Sequence, residues 1–86
     1  MIPEGFKHAL SVEDFDYYLN EEEPDCDAIL FKSGELISDN YFATNSLMED
    51  LDKIYLGEIT NYQMEPDMED NYNEMIKAGC FDWLKQ

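Results

Sequence analysis

Arginine does not occur in this chain, and its only bases are five lysines and the single histidine, His8. Against them stand 21 aspartates and glutamates, for a formal net charge of −16. Nucleic acid and anionic membranes are polyanions, so neither is expected as a direct partner. Cysteine is scarce too: Cys26 and Cys80 have neither C-x-x-C nor metal-ligand spacing and read as reduced, small hydrophobic residues of a cytosolic protein. With one histidine and two scattered cysteines, a zinc site is not expected, and His8 reads as an ordinary terminal or surface residue. Glycine is confined to positions 5, 34, 57 and 79, which suit turns and caps, and no phosphate-cradling loop or G-x-S-x-G element occurs. An enzyme is therefore not expected, nor a cofactor. No apolar run approaches the ~18 residues of a membrane span. The opening "MIPEGFKHALSVEDF" lacks the form of a signal peptide, so a cytoplasmic location is expected.

What is present suffices for one small folded domain. The 86 residues are 44% hydrophobic and 14% aromatic, whereas chains that stay disordered are poor in aromatics. A chain of this length buries roughly 60–65% of its unfolded surface. Ser11 as a cap, followed by Val12, Phe15, Tyr18 and Leu19 at helical spacing, predicts a first helix over about 12–22, ended by Pro24. "AILFK", Ser33-Gly34 and "ELIS" predict a hairpin over 27–38, with "NYFAT" (40–44) continuing the sheet. Ser46 and Glu49 form a capping-box pair for a second helix, with Leu47, Leu51, Ile54 and Tyr55 on its apolar stripe and Gly57 at its end. "EITNYQM" (58–64) reads as a strand. Pro66 opens a third helix buried through Met68, Tyr72, Met75 and Ile76 and closed near Lys77 and Gly79, and "CFDWL" (80–84) is a last strand or turn. The expected fold is a single α+β domain, 1–86, with about three helices and a short, mostly antiparallel sheet.

The carboxylates carry the functional question. An EF-hand loop starting at Asp25, Asp50 or Asp67 would need glycine at its sixth position, where the chain has Leu30, Tyr55 and Tyr72, so no calcium loop or other metal site is expected. Among 21 carboxylates some pairs fall close by chance, so pairing alone does not indicate acid–base catalysis. "NSLMEDL" (45–51) resembles the D-S-L motif of acyl carrier proteins, with Asn45 in place of the aspartate. That resemblance would make Ser46 a phosphopantetheine carrier in an all-helical bundle.

The acidic runs are uncompensated as well as dense. Residues 13–27 hold eight acids and no base, and residues 65–74 hold five acids and no base, where an ordinary solvated face intersperses lysine or arginine. A domain of this length is about 30 Å across, so a net −16 amounts to roughly one charge per 1.9 Å, against one per ~1.7 Å of duplex DNA. The pattern points to a surface that imitates the phosphate array and enters a cationic groove. The expected partner-binding residues are Glu13, Asp14, Asp16, Glu21, Glu22, Glu23, Asp25 and Asp27, then Glu49, Asp50 and Asp52, then Glu65, Asp67, Glu69, Asp70 and Glu74. Tyr17, Tyr18, Tyr62 and Tyr72 would add contact area, though helical spacing assigns Tyr18 and Tyr72 to the core first. Tyr41, Phe42, Phe81, Trp83 and Leu84 belong to the core or, less favoured, to a homodimer interface.

In size, charge, α+β reading and the runs "EDFDYYLNEEEPDCD" and "EPDMEDNYNE", the chain resembles the small acidic phage DNA-mimic anti-restriction proteins, above all the Arn-type inhibitors of T-even phages. The resemblance implies inhibition of a McrBC-type restriction nuclease in the host cytoplasm, by a dimer. It covers the whole chain in character and rests on no discrete motif. Anti-CRISPR proteins and uracil-DNA glycosylase inhibitors share this character, and the sequence does not separate them; the alternatives of another class are an acidic adaptor for a basic DNA-associated protein and the carrier reading of Ser46.

Overall fold

The computed structural model describes residues 2–22 and 28–85. Five antiparallel strands, β1 (Phe6–Val12), β2 (Phe15–Asn20), β3 (Ala28–Lys32), β4 (Glu35–Asp39) and β5 (Tyr62–Met64), form one sheet in the order β4-β3-β2-β1-β5. Two helices, α1 (Asn40–Tyr55) and α2 (Pro66–Lys77), cover one face, and a 3-10 turn, Asp82–Lys85, follows. The α+β expectation holds with two helices rather than three.

The missing helix is the one expected over 12–22. Those residues form the end of β1, a two-residue turn and β2. In "FDYYLN" the apolar residues satisfy a period of two as well as a helical one, and pairing with both neighbours decides in favour of the strand. Leu10, Tyr17 and Leu30 lie opposite one another across β1, β2 and β3 and enter the core together. Ser11 is therefore no helix cap. The turn at Glu13-Asp14 carries no glycine or asparagine signal, and Glu13 adopts φ 57, a left-handed conformation that glutamate rarely supplies.

The hairpin expected over 27–38 is present as β3 and β4, with Asp27 outside the described residues. Its two-residue turn has Ser33 at φ 51 and Gly34 at φ 85, the positive pair that matches strand twist. Residues 40–44 do not continue the sheet. They form the first turns of α1, because Ala43 extends the stripe of Leu47, Leu51 and Ile54 back by one turn, and Ser46 consequently lies inside the helix instead of capping it. Gly57 at φ 80 ends α1 as expected, with its N–H donated to the Ile54 carbonyl. β5 occupies only the end of the stretch expected over 58–64, and 82–85 wind into the 3-10 turn. α2 keeps its expected bounds from Pro66.

The core lies between sheet and helices. Leu10, Val12, Tyr17, Leu19 and Leu30 meet Ala43, Leu47, Leu51 and Ile54 of α1 and Met68 of α2. Phe81, 1% exposed, closes the bottom, stacked on Tyr55 at 4.9 Å between ring centres and tilted against Tyr72 at 5.5 Å. Each such side chain contributes roughly 1.5–3 kcal/mol by leaving water. On the other face, His8, Tyr18 and Phe31 form an edge-to-face row across three strands.

Candidate functional site

A β-bulge at Ala9 organises the site. It shifts the β1–β2 register between His8 and Leu10, so that Lys7 and Leu10 share the helix-covered face while His8 and Ser11 share the opposite one. In a regular strand residues three apart would face opposite ways. The Ala9 carbonyl accepts the Glu65 N–H at 2.9 Å, which moors the start of α2 beside β1.

Two clasps result. Lys7 Nζ reaches Asp67 at 2.9 Å, and that hydrogen bond, with the nearby charges of Asp67, Glu21 and Glu65, raises the ammonium above its ordinary value. His8 sits between Glu65 Oε1 at 2.8 Å from Nδ1 and Ser11 Oγ at 2.7 Å from Nε2, while Ser11 donates its proton to Asp16 at 2.6 Å. Ser11 has spent its only proton on Asp16 and Glu65 is a carboxylate, so each ring nitrogen of His8 faces an oxygen able to accept from it. His8 thus cross-links β1, β2 and the start of α2 through both ring nitrogens, rather than being an ordinary surface residue. The order Glu65, His8, Ser11 resembles a carboxylate–imidazole–hydroxyl chain, but Ser11 donates its proton to Asp16 and not to the ring, so Ser11 is not activated.

Among the described residues no charged side chain is buried. Glu13, Asp14, Glu21, Glu22, Glu49, Asp67, Glu69, Asp70 and Glu74 are exposed, as the sequence reading requires. Glu23, Asp25 and Asp27 lie outside the described residues. Three acids are partly occupied inward. Asp16 and Glu65 serve His8, and Asp50 accepts a hydrogen bond from the Tyr17 hydroxyl at 2.5 Å. Asp52 is half-buried, and desolvation followed by the charge of Glu49 raises its carboxyl above the ordinary value.

Tertiary structure gathers Glu21, Glu65 and Asp67 around Lys7, although they are distant in sequence. Glu13, Asp50 and Glu58 instead border a separate hollow with Lys53. Lysine offsets little of this charge: among the described residues the lysine–carboxylate pairs are Lys7–Asp67 and Lys77–Glu74, the latter at 3.9 Å. Lys32 lies 5.2 Å from the centre of the Phe15 ring. The described residues contain no group of three or more His, Cys, Asp or Glu positioned to hold a metal.

Several aromatic expectations change. Tyr17 is 1% exposed, with its hydroxyl also 2.8 Å from Ser46 Oγ, so it is core and not contact surface. Tyr62 is exposed, whereas Tyr18 and Tyr72 are half-buried. Burial raises the Tyr72 phenol above its ordinary value. Phe81 is core and Leu84 packs against it, but Phe42 and Trp83 are exposed. The Tyr41 side chain is not among those described. Cys80 is an exposed free thiol, and Cys26 lies outside the described residues.

Against known proteins, the chain matches no family model, no curated protein and no solved structure. Sequence reasoning missed the two clasps. The alternation of "FKHALSV" marks a strand, yet it gives no sign of the bulge that turns His8 toward Ser11.

Proposed function

We propose that this protein is a DNA-mimic inhibitor that occupies the cationic groove of a DNA-binding host defence protein. The carrying observation is that the charge excess stays on the surface with only two lysine–carboxylate pairs among the described residues. The longest axis is 40 Å, so a net −16 gives 40/16, or one charge per 2.5 Å. That is a larger spacing than the sequence-based figure, because the molecule is elongated, and still about two-thirds of the duplex density of one per ~1.7 Å. Arginines and lysines lining such a groove would pair with these carboxylates, and association would be fast and strongly salt-sensitive.

The resemblance noted from the sequence makes a McrBC-type restriction nuclease the favoured target, in the cytoplasm of the host cell. Among the described residues no helix is long and apolar enough to cross a membrane. An adaptor for a basic DNA-associated protein is the second reading. The carrier reading has less support, since Ser46 is half-buried inside α1 with its hydroxyl on Tyr17, and the domain is built on a sheet.

A gel-shift competition tests the proposal: the protein displaces DNA from its target, whereas an adaptor leaves a ternary complex. Neutralising Glu21, Glu22, Glu23, Asp25 and Asp27 together to the amides abolishes displacement while circular dichroism keeps the folded signature. Undiminished displacement by that variant rejects the carboxylate array as the binding element.

A further inference from the structure

The two helices stand on different strands. α1 packs on β3 and β4 and α2 packs on β1, and the two helix backbones do not approach each other as closely as they approach those strands. β2 lies between those supports in the sheet, so a trough of about 530 Å³ runs between the helices with Leu19 of β2 in its floor. Leu47, Met48 and Leu51 form one wall and Met68 and Met75 the other. Three of the chain's five methionines are thus gathered in one groove. Methionine is flexible and polarizable and suits surfaces that repack around a partner's side chains. Met48 is 38% exposed.

The charge around the trough specifies its occupant. Among the described residues Glu74 is the one charged side chain in its lining, and no lysine lines it. Asp67 and Asp70 precede Glu74 by seven and four residues, so the three acids follow one another along one stripe of α2, with Glu74 in the trough lining. Lys7 and Lys77 each offset one end of that stripe, at Asp67 and Glu74, and Asp70 has neither as an ion-pair partner. On α1, Asp52 stands one turn beyond Met48. An apolar floor under acidic rims complements a helix with leucine-like residues on one face and lysine or arginine on its flanks.

We infer that the trough between α1 and α2 receives the apolar face of a basic amphipathic helix from the protein's partner. This rests on the proposed cationic partner and adds an apolar anchor to it. Charge steers the encounter, and burial in the trough slows dissociation.

The test uses the full chain with carbon-13 methyl-labelled methionine and an 18-residue helical peptide of leucine and lysine, leucines at i, i+3, i+4 and i+7. A control peptide keeps every lysine and replaces each leucine by glutamine. The leucine peptide is expected to move the methyl signals of Met48, Met68 and Met75 while Met64 stays in place. The control is expected to bind at least tenfold more weakly without moving those three. Met48→Gln weakens the leucine peptide about tenfold and leaves the control unchanged. Equal binding of both peptides with the three methyls unmoved overturns the trough and leaves the cationic-partner reading standing. Failure of both to bind at low salt overturns both. Methyl shifts that arise on concentrating the protein alone assign the trough to a second copy. Saturation by an uncharged apolar dye, with no preference for the leucine peptide, assigns it to a small ligand; either result overturns the inference.

Discussion

Replacing Tyr17 by phenylalanine isolates a polar link that crosses the core. The ring is 1% exposed, so the substitution leaves its packing intact and removes only the hydroxyl. That hydroxyl donates to Asp50 at 2.5 Å and lies 2.8 Å from Ser46 Oγ. A hydrogen bond to a charged group contributes about 1.5–3 kcal/mol. Asp50 is half-buried, so water recovers part of the loss, and a cost of about 1–2 kcal/mol is expected. For a domain of this size that lowers Tm by roughly 5–15 °C. The pH dependence gives a second reading. Burial first, and the bond to Asp50 second, raise the phenol well above its ordinary value of 10.0 in the folded state. The unfolded chain therefore loses this proton first as pH rises. The stabilisation is fully present below about pH 10 and declines above it, by about 1.4 kcal/mol per pH unit. Urea titrations of both proteins between pH 7 and 11.5 measure this directly. The gap should be constant to about pH 10 and then shrink. A gap absent at neutral pH, or one that widens in alkali, refutes the coupling of Tyr17 to Asp50.

Raising salt from about 0.02 to 0.3 M shortens the screening length severalfold and should raise Tm by weakening self-repulsion; an unchanged Tm in calorimetry would mean the surface charge costs the fold nothing. Phe81→Ala removes the ring that Tyr55 and Tyr72 pack against and should cost about 3–5 kcal/mol, read as a lower urea midpoint. Asp52 has its folded carboxyl raised above 3.8, so the fold favours the protonated form. Its contribution improves as pH falls through that raised value, and its charge is a cost at neutral pH. Asp52→Asn should therefore stabilise at pH 7, helped by removing a negative charge from the last turns of α1, and should lose that advantage near pH 3.

Local chemistry made some elements readable. Ser33-Gly34 between two β-prone runs can hardly be anything but a hairpin turn, and Pro66 and Gly79 bracket α2 because one fits the first helical turn and the other tolerates φ 82. "FDYYLN" was misread because its apolar residues fit both periods, and the partners that choose between them, Leu10 and Leu30, lie on other strands. Residues 40–44 were misread for a similar reason, since Ala43 becomes a core residue only when α1 lies across β3 and β4.

The excess of negative charge, formally −16, is a sum over side chains, so the sequence alone determined it. Where the charges gather is a matter of position. The bulge at Ala9 and the mooring of Glu65 bring Glu21, Glu65 and Asp67 to Lys7, and Asp16 and Glu65 to His8, across separations of up to 60 residues. Interactions of that range exist only once the strands have paired, which is why the tertiary structure alone decided them.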